Sequence, residues 1–419
     1  MSANAPRIAS ATASSALMTA ERTFAARNYD PLPVVLSHGE GAWITDVDGR
    51  RYLDLMSAYS AVSFGHAHPA ILNALVAQAR ELAVTSRAFF NDRLPVLLER
   101  VTRLTGLPRA IPSSGGAEAV ETSLKAVRKW AYKVKGVPAD RAEVIVCRSN
   151  FHGRSITIVG FSSEAQYRDG FGPFPPGFVT IPYGDASALE AAITPHTAAF
   201  LVEPVQGEGG IIVPRDGYLA ECARICKQHR VLLICDEIQT GLGRTGYVLA
   251  CEHDKVRPDG VILGKALGGG LLPVSMFAAT DAVMQVFAPG DHGSTFGGNP
   301  LASAVAVAAL DVLERENLCA RSASLGTWLL SELRKIDSPL ITDVRGRGMF
   351  IGIEVDTRKV TARAVVDRLL ERGLLSKDTH GTVVRIAPPL VIAREDLAWA
   401  VGEIAATFRD LEGRIKTAA

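Results

Sequence analysis

At 419 residues the chain is too long for one small core, so two domains with an added arm are expected. It is 47% hydrophobic and 21% charged, and 45 basic against 44 acidic residues leave a net charge of +1. That balance is ordinary for a soluble globular protein and offers no basic surface for nucleic acid or an anionic membrane. No run of about 18 apolar residues could cross a bilayer, so no membrane partner is expected.

The first 20 residues are rich in Ala and Ser. A weak likeness to a transit peptide is outweighed by a loosely attached N-terminal arm, and the location expected is cytoplasmic. Residues 1–67 are expected to be this arm plus a segment packing with a small domain, 68–310 a large domain, and 311–419 the small C-terminal domain. Gly41 to Asp48-Gly49, followed by Arg51 to Leu55, predicts a hairpin with Asp48-Gly49 in the turn.

From about 68 to 310, helical patterns alternate with short apolar runs. The runs predict strands at 143–147, 156–161, 178–182, 198–203, 231–235, 261–263 and 274–279. Helical spacing falls near 69–83, 93–105, 117–133, 186–193, 216–229 and 299–315. Such alternation argues for an α/β domain with a largely parallel sheet. Beyond 311 a helix (321–335), strand (349–355), helix (361–372), strand (382–386) and terminal helix (395–412) predict a compact α+β module. The six cysteines, at 147, 222, 226, 235, 251 and 319, form no metal-like CxxC pair. They read as reduced thiols, and no metal site is expected.

The motifs follow in chain order. Ser114-Gly115-Gly116-Ala117 opens a helix whose free N–H groups suit a phosphate. Phe151-His152-Gly153-Arg154 follows a strand; the aromatic could stack on a flat ring and the arginine could hold a carboxylate. Glu203 and Glu208 lie where a strand runs into a flexible loop. Asp236 closes the run Val231-Leu-Leu-Ile-Cys235, and Lys265 closes Val261-Ile-Leu-Gly264. Charges at the carboxyl ends of buried parallel strands sit where such sheets place their chemistry. A buried lysine tends to lose its proton or form an imine, and an acid facing a pyridinium nitrogen is the other requirement of pyridoxal phosphate (PLP). Gly241-Leu-Gly243-Arg-Thr-Gly246 matches the dinucleotide pattern formally, but five residues separate it from its strand and no clear helix follows, so a nicotinamide site is rejected. His292 to Pro300 is a second small-residue loop before a helix. Arg385 is a charge inside the apolar strand Val383-Val-Arg-Ile386 and needs an acid or an anionic ligand.

Asp236-Glu-Ile-Gln-Thr-Gly241, with Gly264-Lys-Ala-Leu-Gly-Gly-Gly270 and the lysine 29 positions after the acid, resembles the class-III aminotransferases of the fold-type I PLP enzymes. Within that class the branch acting on ornithine is the most similar, on Asn28 to Val34, Ala58 to Val62, Thr85 to Phe90, Asp169 to Phe174 and His292 to Pro300. The resemblance runs from about residue 28 almost to the C-terminus. It implies a large domain with a mostly parallel seven-stranded sheet and a smaller α+β domain. It implies that Lys265 bonds the cofactor and later carries the substrate proton, and that Asp236 keeps the pyridine nitrogen protonated. It further implies Gln239 on the ring's phenolic oxygen, Phe151 stacked on the ring, and the N–H groups of Gly116 and Ala117 on the phosphate. Thr295 would reach the phosphate from a partner subunit, which implies a homodimer. At the substrate end, Tyr29 would meet the α-amino group of L-ornithine and Arg154 its α-carboxylate. Tyr59 would favour ornithine over 4-aminobutyrate. Glu208 would pair with Arg385 until 2-oxoglutarate binds. Rival readings are another ω-amine aminotransferase (N-acetylornithine, 4-aminobutyrate or lysine), a semialdehyde aminomutase, and a silent binding protein on the same scaffold. Two departures from the family are the phosphate turn, poor in hydroxyls, and His152, where some relatives have Trp.

Overall fold

The computed structural model describes residues 13–418. Residues 1–12 of the expected arm lie outside the described residues. The rest of that arm begins with a helix, Ala13–Phe24, which the composition did not signal.

Seven strands build the central sheet: β1 (Arg109–Ser113), β2 (Glu143–Cys147), β3 (Phe178–Ile181), β4 (Thr197–Val202), β5 (Leu232–Asp236), β6 (Gly260–Leu263) and β7 (Ser275–Ala279). Their order is β1-β7-β6-β5-β4-β2-β3. Strands β2 to β6 pair in parallel, and β7 runs antiparallel to both β6 and β1. Every residue of β4 to β7 is buried, which is why these strands read as unbroken apolar runs rather than alternating ones. The two faces are still separated by the pleat. Val144, Val146, Ile262 and Phe277 pack with the helix Gly116–Trp130. Ile145, Cys147, Val261 and Met276 belong to the larger core, with the helices Tyr218–Gln228 and Pro300–Arg315.

Two strand expectations are corrected. Residues 156–160 form a short helix, Ile156–Gly160, despite a β-branched sequence. Strand β2, which precedes it, is already paired on one side by β3 and on the other by β4, so no ladder is free to receive it. The seventh strand is instead β1, which contains Pro112. It lies at the sheet edge, where a residue without an N–H is tolerated.

The hairpin forms as expected, with Trp43–Asp46 antiparallel to Arg51–Asp54. A further strand, Leu36–Glu40, joins it, and Leu374–Leu375 pairs in parallel with Arg51–Asp54. Trp43 stacks on Trp399 at 5.6 Å and donates to Asp396 at 3.1 Å. The C-terminal part carries a second antiparallel sheet of Ile341–Arg347, Phe350–Val355, Val383–Ile386 and Asp378–Thr379. Its helices are Leu318–Arg334, Ala362–Glu371 and Arg394–Ala418. The glycine-rich loop 241–246 does structural work here. Arg244, fully buried, donates to the carbonyls of Met349 (3.0 Å) and Pro388 (2.6 Å) and to Ser63 Oγ (2.8 Å). That joins three distant stretches of chain.

Candidate active site

Because β4, β5 and β6 are parallel neighbours, their carboxyl ends share one edge of the sheet. Glu203 follows β4, Asp236 ends β5, and Lys265 lies two residues beyond β6. Asp236, Glu203 and Lys265 line a cavity of about 190 Å³ with Gly116, Ala117, Phe151, His152, Gly153, Ile238, Gln239 and Thr240. Six residues singled out from the sequence (Gly116, Ala117, Phe151, Asp236, Gln239 and Lys265) therefore converge on one cavity.

The cavity has a charged floor. Asp236 Oδ2 meets His152 Nδ1 at 2.7 Å, and Asp236 Oδ1 accepts from the N–H of Ile238 at 3.1 Å. Burial alone would pull the His152 pKa down, but the hydrogen bond and charge of Asp236 outweigh it and raise it. Glu203 is buried beside this pair and accepts from the N–H of Phe151 (2.9 Å) and Gly207 (3.2 Å). Burial pushes its carboxyl up to about 7, with His152 opposing and Asp236 adding to the shift. Lys265 is pulled down by burial and by Arg385, against the pull of Glu208 and Asp236. Its Nζ is thereby biased toward the free amine, the form that can act as nucleophile or base. Glu237 turns away from the cavity and accepts from the N–H of Cys251 at 2.8 Å.

One wall is the start of the helix Gly116–Trp130. No side chain caps it, so its first N–H groups are left for an anion. Ser275 Oγ donates to the carbonyl of Gly115 at 2.8 Å and holds the turn. Gly153 brings Phe151 beside this turn. Its φ is +128°, and a Cβ there would lie 2.9 Å from the Cβ of Ala117, so only glycine fits.

Above the floor sits a polar cluster. Arg385 donates to Glu208 at 2.8 Å, and Gln239 bridges the two, donating to Glu208 (3.2 Å) and accepting from Arg385 (3.3 Å). Although burial opposes it, Arg385 and Lys265 hold the Glu208 carboxyl below its ordinary pKa. The backbone carbonyl of Glu208 accepts from Thr379. Tyr59 covers Arg385, whose guanidinium carbon is 5.0 Å from the ring centroid. Tyr59 is carried by four consecutive left-handed residues, Ser57 to Ser60, with φ between 44° and 77°. For non-glycine residues this is costly, and specific anchors maintain it. Asp54 Oδ1 accepts from the N–H groups of Met56 and Ser57, both at 2.8 Å, and Asp54 Oδ2 meets His66 at 2.8 Å. Ser57 Oγ donates to the carbonyl of Ala387 at 2.8 Å.

The remaining sequence candidates lie outside the cavity lining. Arg154 is exposed at the mouth, its guanidinium carbon 5.7 Å from the Phe151 centroid. Tyr29 is 81% exposed, on the stretch leading to Leu36–Glu40, and within electrostatic reach of Tyr59. Thr295 is exposed on the loop before Pro300–Arg315. Sequence reasoning gave no role to His152, Glu203, Asp54 or Tyr167. Glu203 carried the same signal as Asp236, an acid closing a buried strand. The other three had none, because their partners are distant in sequence or typical of a surface.

A family model for class-III aminotransferases matches residues 24–408. The chain belongs to that family. It is 55% identical over 390 residues to the ornithine aminotransferase of Halalkalibacterium halodurans, covering 93% of this chain and 97% of that one. Among solved structures it is similar to the ornithine aminotransferase of Toxoplasma gondii, with PLP in partial occupancy at its active site. That match has a TM-score of 0.95 and 45% identity, over 97% of this chain and 96% of that one. The acetylornithine aminotransferase of Elizabethkingia anophelis matches with a TM-score of 0.86 and 46% identity, over 95% and 99%. This class-III aminotransferase is a PLP enzyme, and its cavity fits the cofactor by chemistry. It offers an amine, an acid for a ring nitrogen, an aromatic face, and an uncapped helix start for a phosphate.

Proposed function

We propose that the chain transfers the δ-amino group of L-ornithine to 2-oxoglutarate. The products are glutamate 5-semialdehyde, which cyclises to pyrroline-5-carboxylate, and L-glutamate. The observation that carries this reading is the Glu208–Arg385 pair under Tyr59, deep in the site, combined with an unpaired Arg154 at its mouth. A pocket that must accept a cationic amine and then a dianion needs a buried arginine that can be neutralised in one half of the cycle and released in the other.

The bound PLP supplies an aldehyde to carry the amino group and a ring that withdraws electrons from the carbon losing its proton. The chain's own residues do the rest. Lys265 would hold the cofactor through Nζ at rest, and Nζ, once displaced by the substrate amine, would take the proton from the carbon bearing the δ-amino group and give it back. Asp236, backed by His152, keeps a proton on the ring nitrogen. Phe151 would cover one ring face, Gln239 would serve the phenolic oxygen, and Gly116 and Ala117 would hold the phosphate. Arg154 takes the α-carboxylate of ornithine and Tyr29 its α-amino group, which places the δ-amino group at the floor. Arg385, released by Glu208, takes a carboxylate of 2-oxoglutarate.

Thr295 is assigned to the phosphate of a partner's site, within a homodimer. In support, Phe89, Phe90 and Phe296 are exposed, and Asn91 ties their two loops by donating to the carbonyl of Gly298 at 3.1 Å. That leaves an apolar edge for a second copy. The six free cysteines suit a reducing, cytoplasmic setting. An amine-donor panel with 2-oxoglutarate tests the substrate: L-ornithine should far exceed N-acetyl-L-ornithine, 4-aminobutyrate and L-lysine. An equal or faster rate on any of these would overturn the assignment.

A further inference from the structure

The short helix Ala165–Arg168 carries Tyr167 to the mouth of the site. The guanidinium carbon of Arg154 lies 3.7 Å from the Tyr167 ring centroid, closer than its 5.7 Å to Phe151. Tyr167 also meets Phe151 edge-on, with centroids 6.2 Å apart and planes at 80°. Arg154 thus sits against two aromatic rings that brace each other. Among the described residues it forms no ion pair and no side-chain hydrogen bond. The acids nearest the Tyr167 phenol, Glu164 and Glu208, are faced by His380 (3.8 Å) and Arg385 (2.8 Å) respectively.

A guanidinium that is exposed and unpaired normally samples many rotamers, and ordering it for a bidentate contact costs binding energy. A guanidinium lying flat on an aromatic face loses that freedom while its in-plane N–H groups still point outward, open to a carboxylate. We infer that Tyr167 is a positioning residue: its ring holds Arg154 with its donor edge turned to the substrate carboxylate. This rests on the assignment of the α-carboxylate to Arg154. The hydroxyl plays no part, since the contact is with the ring face. Tyr167 is not itself among the residues lining the cavity and meets that lining only edge-on at Phe151, away from Lys265 and Asp236, so it acts on binding rather than on proton transfer.

The test is steady-state kinetics of the PLP-loaded enzyme with L-ornithine for Y167F, Y167L, Y167A, R154A and the double variant Y167A/R154A. Loss of a cation–π contact of this kind corresponds to about 2- to 30-fold in affinity. Y167A and Y167L are expected to raise KM for ornithine within that range with kcat nearly unchanged, and Y167F to behave as the wild type. In the double-mutant cycle, Y167A should add nothing once Arg154 is gone. Additive losses, a fall in kcat in place of a rise in KM, or a Y167F as impaired as Y167A would each overturn the inference. If R154A itself leaves KM for ornithine unchanged, the carboxylate assignment to Arg154 fails and the role of Tyr167 falls with it. If R154A raises KM but Y167A does not, only the role of Tyr167 falls.

Discussion

Replacing Glu203 with glutamine tests the electrostatics of the site floor without touching its shape. The Glu203 carboxyl is buried between two backbone N–H groups and the Asp236–His152 pair, and burial moves it from the ordinary 4.5 to about 7. The sign is opposite to that of a salt-bridged acid. The folded state binds this proton more tightly than the unfolded chain, so the favourable contribution is complete below pH 4.5 and is lost as pH rises to about 7. At about 1.4 kcal/mol for each tenfold change in proton affinity, the ionised carboxylate costs roughly 3 kcal/mol above pH 7. Glutamine never ionises, but its single carbonyl oxygen can accept from only one of the N–H groups of Phe151 and Gly207, where the carboxyl offers an oxygen to each. The lost acceptor is a pH-independent cost, so it is the stability of the cofactor-free Glu203→Gln protein relative to the wild type that should rise between pH 5 and pH 8, by up to about 3 kcal/mol, or about 3–4 °C in thermal midpoint for a chain of this size. At pH 5 mainly the constant cost of the lost acceptor should remain. Thermal unfolding followed by circular dichroism from pH 5 to 8.5 measures it. A difference independent of pH would show that burial does not raise the Glu203 carboxyl.

Gly153→Ala must push a Cβ toward Ala117 at a φ of +128°, and is expected to cost about 1–3 kcal/mol in chemical denaturation. It should also weaken PLP binding, read by fluorescence titration, because Phe151 and the helix start move apart. Glu208→Ala removes the acid partner of a fully buried guanidinium and should destabilise the protein by about 3 kcal/mol, whereas Glu208→Gln, which keeps an acceptor, should lose less. Asp54→Ala deletes the acceptor for two N–H groups of the left-handed turn and should cost about 2–3 kcal/mol. With Tyr59 no longer held on Arg385, the ratio of kcat/KM for ornithine over 4-aminobutyrate should fall; an unchanged ratio would separate the turn from donor choice.

The elements that carry the cofactor site were legible because their signals are local. A parallel strand buried on both faces must be a short apolar run, and a charge at its end can only be tolerated where the sheet opens to a cavity. Asp236 and Lys265 stand out on those grounds alone, and the 28 intervening residues supply the crossover that makes their strands neighbours. Helix Gly116–Trp130 announced itself by its small-residue start and apolar stripe.

Tertiary structure decided what depends on who is already paired with whom. Residues 156–160 have the composition of a strand and form a helix because both edges of β2 are occupied. Strand β1 contains a proline and forms because it lies at an edge. His152 meets Asp236, Asp54 holds the turn under Tyr59, and Tyr167 lies on Arg154 only once separate stretches of chain have packed. Periodicity and end charges report the environment of a segment; a side chain's partner across the fold is set by the packing of elements. The sequence by itself therefore determined the cofactor chemistry of this chain, and the fold decided how its charges are tuned and which aromatic rings Arg154 lies against.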